Sequence, residues 1–177
     1  MNIRNGLKPL AVVFLAFTLI GCSSISQDDF DTLEQVQAAQ SGQIGLVRAA
    51  EIARQKANGI PVEITFHSVS VGAYYAVKLV ESEAINYIAI DAANGSVLTV
   101  ERKRQQARWL KRRNRSTLRQ IKYAQVSLDD AIANAEAITG GKAVEVMVDD
   151  QRYPQAYEVR SIRLGVLVTT RIAFRDE

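Results

Sequence analysis

LVRAAEIARQKANGIPVEITFHSVSVGAYYAV, residues 46–77, runs in step with LDDAIANAEAITGGKAVEVMVDDQRYPQAYEV, residues 128–159. The offset is a constant 82, and eight of the 32 pairs are identical: Leu46/Leu128, Ala49/Ala131, Ala53/Ala135, Gly59/Gly141, Val62/Val144, Glu63/Glu145, Tyr75/Tyr157 and Val77/Val159. Identity at this level is modest. The stronger signal is that both stretches change character at the same places, as an internal repeat should.

Each stretch opens on a helical pattern. In the second, Ser127 and Asp130 form a capping-box-like pair, with Asp where Glu or Gln is usual. Asp129 and Asp130 suit the positive end of the helix dipole. Leu128, Ala131, Ile132, Ala135 and Ile138 fall on one face, and Gly140-Gly141 supplies a stop. In the first, Leu46, Ala49, Ala50 and Ala53 form the face, Asn58-Gly59 ends the helix and Pro61 forbids its continuation. Alternation then takes over. Val62, Ile64 and Phe66 are interleaved with Glu63, Thr65 and His67, and Val144, Val146 and Val148 with Glu145, Met147 and Asp149. Period two with one apolar face predicts half-buried strands. Second strands are expected around Tyr75–Leu79 and Tyr157–Arg160, and third strands over Ile85–Ile90 and Val166–Phe174. Only the first stretch shows a turn, Asp91–Gly95, into a fourth strand at Ser96–Val100. The expected fold class is α+β: two repeated units, each one helix packed on a three- to four-stranded antiparallel sheet. Units of about 55–60 residues are marginal alone, so the two are expected to pack together.

At these residues the chain resembles the PepSY domain. The first unit carries Ala49, Ala53, Gly59, Val62, Tyr75-Ala76-Val77 and Asp91-Ala92-Ala93-Asn94-Gly95. The second carries Ala131, Ala135, Gly140-Gly141-Lys142, Val144-Glu145-Val146 and Tyr157-Glu158-Val159. It departs at its end, where Arg175 stands in place of the Asp of the closing turn, so an open sheet edge is expected there. The resemblance implies a non-catalytic module that restrains or chaperones a peptidase, held by its sheet or sheet edge.

Upstream, Arg4 and Lys8 precede an apolar run from Leu10 to Ile20 that is too short to span a bilayer. It ends in Leu19-Ile20-Gly21-Cys22, which resembles the bacterial lipobox, with residues 1–21 as signal peptide and Cys22 as the first residue retained. The resemblance implies a diacylglyceryl thioether and an N-acyl chain such as palmitate on Cys22, and several chains together make a stable bilayer anchor. Ser23 rather than Asp after the Cys implies an outer-membrane lipoprotein facing the periplasm in a Gram-negative host, and otherwise a membrane-anchored extracytoplasmic protein. Residues 22–43 read as a polar tether in which Ser26 and Asp29 cap at most a short helix carrying Phe30, Leu33 and Val36. The expected organisation is therefore signal peptide 1–21, tether 22–43, first PepSY-like unit 44–101, basic connector 102–122 and second unit 123–177.

The connector is read as a helix. It holds ten bases and no acid: Arg102, Lys103, Arg104, Arg108, Lys111, Arg112, Arg113, Arg115, Arg119 and Lys122. The whole chain is only +3, and +1 once residues 1–21 are removed, so everything retained outside the connector carries −9. Ala107, Leu110, Leu118 and Ile121 can line one helical face, with Asn114 interrupting it and Trp109 offset by a residue. A basic helix with a Trp suits an anionic surface. The candidate contacts are Arg104, Arg108, Trp109, Lys111, Arg112, Arg113, Arg115 and Arg119. Lipid A phosphates, lipid headgroups and peptidoglycan carboxylates would all serve. Charge alone would equally suit nucleic acid, which export and the lack of a base-stacking aromatic pattern argue against. The opposing reading is a solvated connector, or one that neutralises the acidic units within the molecule.

Composition narrows the chemistry further. One Cys, assigned to the anchor, and one His leave no thiol–imidazole pair, no Cys-rich metal site and no internal disulfide. His67 lies on the polar side of its strand, Asp149-Asp150 reads as a turn, and no glycine-rich phosphate loop is present. No catalytic residue, metal or cofactor is expected. The expected function is a lipid-anchored envelope protein that binds a periplasmic protein partner. The alternative is a tether that docks its basic connector on an anionic envelope surface.

Overall fold

The computed structural model describes residues 44–70, 72–149 and 154–175. The expected signal peptide, the lipid-bearing Cys22, the tether over 22–43 and most of the turn after Asp149 lie outside the described residues. Among the described residues, three helices and seven strands follow in the order α1 (Leu46–Lys56), β1 (Ile60–Val69), β2 (Gly72–Val80), β3 (Ala84–Asp91), β4 (Val97–Arg104), α2 (Arg108–Lys122), α3 (Leu128–Thr139), β5 (Lys142–Val148), β6 (Ala156–Arg163) and β7 (Val166–Ala173). The fold is α+β, with one antiparallel sheet in the order β4-β3-β2-β1-β5-β6-β7. The sequence leads one to expect two sheets. Instead the four strands β1–β4 and the three strands β5–β7 meet edge to edge.

The join is an antiparallel pairing of β1 with β5, in which Glu63 faces Met147, Ile64 faces Val146 and Thr65 faces Glu145. Ile64 and Val146 stand 82 residues apart, and both are completely buried. Residues opposite each other in an antiparallel pair project to the same face. Ile64 and Val146 therefore point to one side, and both α1 and α3 cover that side. Ala49, Ala50 and Ala53 of α1 pack with Leu128, Ala131, Ile132 and Ala135 of α3 and with both sets of strands in one continuous core. The helices are also clamped directly: Arg54 Nη1 and Nη2 donate to Asp129 Oδ2 and Oδ1 at 2.9 and 3.0 Å.

Local chemistry explains most element ends. Ser127 caps α3, accepting from the Asp130 amide while the Asp130 carboxylate accepts from the Ser127 amide, and Gly140 closes that helix at φ 64°. Three expectations need correction. Ile138 is 67% exposed, because it lies at the margin of the apolar face on the side away from α1, and Thr139 is buried in its place. The end of α1 is capped by Ala57 in an extended conformation rather than by Asn58-Gly59. Gly59 serves the sheet instead, where a Cβ would stand 3.0 Å from the Val80 carbonyl oxygen, and at Gly141 one would stand 2.6 Å from that of Ile162. Val62 also breaks the simple alternation. A bulge between Pro61 and Glu63 shifts the register, and Val62 packs with Val80 and Ile85 in a second cluster apart from Ile64 and Phe66. A matching irregularity lies between Ala143 and Glu145 on β5.

Two buried tyrosines anchor the main core. The Tyr75 ring meets Phe66 edge-on at 5.4 Å, and its hydroxyl donates to the Ile44 carbonyl at 2.6 Å. The Tyr157 ring meets Phe174 edge-on at 4.7 Å. Burial pushes both hydroxyls up to about 12, reinforced at Tyr75 by Glu136 and at Tyr157 by Asp129, with Arg54 acting in the opposite sense on Tyr157. A pKa raised by folding means that stability is fully present below the unfolded value near pH 10 and is lost as pH rises towards 12. Alkaline titration followed by tyrosinate absorbance should therefore show two of the six tyrosines ionising late, together with unfolding. Ionisation of all six around pH 10 with intact secondary structure would contradict this packing.

Candidate anionic-surface site

The chain leaves β4 at one edge of the sheet, while α3 must begin near its centre. The crossing is made by α2, which runs over the face opposite α1 and α3. Leu118 and Ile121 pack against the cluster of Val62, Val80 and Ile85, together with Val148 from β5. Asn114, expected to interrupt the apolar face, is the buried residue of this helix and donates from Nδ2 to the Glu81 carbonyl at 3.2 Å. It therefore fastens the helix rather than breaking its face. A cleft of about 590 Å³ remains between α2 and the sheet, lined in part by Leu110, Asn114, Thr117, Tyr87 and Met147.

The ten bases divide into groups. Arg102, Lys103 and Arg104 are not helical; they end β4, which corrects the expectation of one helix over 102–122. Arg102 pairs with Glu81 at 2.8 Å, and Lys103 lies 3.3 Å from Glu101 and 5.1 Å from the Tyr87 ring centre. Lys111 lies 3.5 Å from Glu83. Arg113 borders the cleft beneath the helix and has a partner of its own. Lys111 and Arg113 are thus already engaged, Lys111 half-buried and Arg113 exposed. Arg104 is exposed at the edge of the sheet.

What remains forms a line. Arg108, Arg112, Arg115, Arg119 and Lys122 follow at spacings of four, three, four and three, so they stack on one face of the helix. All five are exposed, on the side opposite Leu110, Asn114 and Ile121. Among the described residues, no carboxylate lies within ion-pair distance of any of them. Trp109, 65% exposed, and Tyr123, 59% exposed, flank the line near its two ends. Lys122 and Tyr123 were not among the candidate contacts read from the sequence; the four-three spacing carries on to Lys122 and would have included it.

This arrangement disfavours the isolated helix. Four neighbouring like-charge pairs at three or four residues cost about 0.2–0.5 kcal/mol each, so roughly 1–2 kcal/mol in all at low salt. No acid occupies the first turn, where Arg108 and Lys111 oppose the helix dipole. Only Arg119 and Lys122, in the last turn, are well placed with respect to it. The inner face must offset that repulsion. Truncating Asn114→Ala leaves the part-buried Glu81 carbonyl without this donor and should cost about 1 kcal/mol. Denaturant unfolding measures that loss, and a change below about 0.5 kcal/mol, the range usual for surface substitutions, would remove Asn114 from this role.

No protein-family model matches the chain, and no curated protein does. A lipoprotein candidate from Clostridium difficile 630, known from its crystal structure, superposes with a TM-score of 0.44 at 16% identity, over 73% of this chain and 94% of its own. That likeness is too distant to place the chain in a family. No helix among the described residues is long and apolar enough to cross a membrane.

Proposed function

We propose that this is a non-catalytic, lipid-anchored envelope protein that lays the outer face of α2 on an anionic lipid surface. The carrying observation is the line of Arg108, Arg112, Arg115, Arg119 and Lys122, exposed together without carboxylate partners among the described residues. A connector that neutralises the acidic units within the molecule would turn its bases inward, and these turn out. Exposed Trp109 and Tyr123 favour a lipid interface over a polysaccharide, since amphipathic rings settle at headgroup level. The lipobox-like Leu19–Cys22 would hold the chain at such a surface.

A second reading is supported by the internal correspondence. The bulges, the close-approach glycines and the ion pairs Lys78–Glu63 at 2.8 Å and Arg160–Glu145 at 2.9 Å all recur at an offset of 82. These matches favour a tandem duplication of a PepSY-like unit, and with it a periplasmic protein partner such as a peptidase. The line of exposed bases on α2 points to a ligand chemistry, which the internal correspondence does not, so surface docking is the better-supported function.

Vesicle co-sedimentation of the non-acylated Cys22→Ser chain tests it. Binding to phosphatidylglycerol-containing vesicles should weaken with salt and be absent on neutral phosphatidylcholine. At about 1 kcal/mol per base near an anionic surface, Arg112→Gln, Arg115→Gln, Arg119→Gln and Lys122→Gln together should lower affinity by about two to three orders of magnitude. Neutralising the paired Arg102 and Lys103 should do much less. Undiminished binding by the fourfold variant, or equal binding to neutral vesicles, would refute the reading. Binding to cell-wall sacculi alone would move the site to peptidoglycan.

A further inference from the structure

The two edges of the sheet are not alike. At one end β4 is guarded: Glu101, Arg102, Lys103 and Arg104 crowd its last half, and its pairing with β3 carries a bulge at Ala89/Ile90. Such features discourage strand addition. At the other end β7 reads Val166-Leu167-Val168-Thr169-Thr170-Arg171-Ile172-Ala173, with one charge. That charge is already engaged, since Arg171 Nη2 donates to Asp149 at 2.9 Å. Seven of the eight residues pair inward with β6 without a bulge, as does the eighth, and among the described residues nothing pairs with the outer edge. The open edge expected from the sequence is therefore present, and the first unit lies at the far side of the sheet and does not shield it.

The surroundings of this edge are apolar. Leu164, at the tip of the β6–β7 hairpin, is 90% exposed and sits at φ 50°, where Asn or Gly is ordinarily favoured. Val166 is 62% exposed and Leu167 44%. On α3, Ile138 follows Asp129 by nine residues, about half a rotation around the helix. Since Asp129 faces α1, Ile138 faces outward, on the β7 side. Four exposed apolar side chains thus border one unguarded edge.

We infer that β7 is the interface of a homodimer, in which two copies pair antiparallel through this strand and extend the sheet. The strand is self-complementary. A two-fold axis through Thr169 sets Val166 opposite Ile172, Val168 opposite Thr170 and Leu167 opposite Arg171. An axis through Thr170 sets Val168 opposite Ile172 and Thr169 opposite Arg171. In both registers β-branched residues meet, which favours pairing, and Arg171 never meets its own copy. The molecule already makes this kind of contact internally, where Ile64 of β1 faces Val146 of β5. The axis of such a pair is normal to the sheet, so each face continues into the same face of the partner. Both copies of α2 then lie on one side, and both lines of bases face the same way. That last consequence bears on the lipid-surface reading; the dimer itself does not depend on it.

The test uses the Cys22→Ser chain, which contains no other Cys. Sedimentation velocity should show a reversible monomer–dimer equilibrium that shifts with concentration. Val166→Lys with Thr169→Lys should abolish the dimer while leaving the circular dichroism unchanged and removing the dependence of the melting temperature on concentration. Single cysteines then locate the contact. Thr169→Cys or Thr170→Cys should oxidise to a covalent dimer about tenfold faster than Thr99→Cys on β4, because pairing holds the two thiols opposite each other and raises their effective concentration. A monomer at every concentration would overturn the proposal. So would a dimer that survives the lysine substitutions or cross-links equally well through Thr99→Cys. Sedimentation requires no vesicles, so failure of the dimer and failure of lipid binding are read separately.

Discussion

The pairing of Ile64 with Val146 is the constraint from which the rest of the structure follows. It joins four strands to three, and antiparallel geometry sends both side chains to the same face. Helices α1 and α3 must then share that face, close enough for Arg54 and Asp129 to form a two-pronged ion pair. Alanine at 49, 50 and 53, each completely buried, lets α1 sit close to the strands. Neither half has a thick core of its own. The shared layer spreads burial over both, which is how units this small avoid the penalty of their size.

The same constraint accounts for the basic helix. With α1 and α3 occupying one face, the link from the outermost strand β4 to the central helix α3 must cross the other. The crossing helix needs an inner side that packs, supplied by Leu118, Ile121 and the hydrogen bond from Asn114. Its outer side is free of folding duties. Five bases collect there at like-charge spacing, a pattern that weakens the helix and that an external anion would relieve. The charge segregation visible in composition thus becomes a surface with a direction.

Much of this was legible in the sequence. The Ser127 and Asp130 box, the Gly140 stop and the alternation through Ile64 and Val146 are local signals, and each corresponds to a local feature of the fold. The misses share a cause. Strand-to-strand pairing between halves has no local signature, so the single sheet could not be read from either stretch alone. Arg102–Arg104 lack alternation because β4 is exposed on both faces, which left a helical reading of the connector unopposed. Ile138 fits the helical period, yet the period does not say how wide a face the strands beneath it cover. Val62 fits the strand period, and the bulge beside Pro61 overrides it. Of the candidate contacts, Arg108, Trp109, Arg112, Arg115 and Arg119 share the outer part of α2, whereas Lys111 turns to Glu83, which only the fold brings near, and Arg113 borders the cleft.

Native-state amide hydrogen exchange tests the central claim, that the β1–β5 join makes one cooperative body. The slowest amides of β2, in one half, and of β6, in the other, should exchange through the same global opening, with equal free energies and equal dependence on denaturant. Two distinct opening energies, with one half exchanging while the other stays protected, would contradict the account.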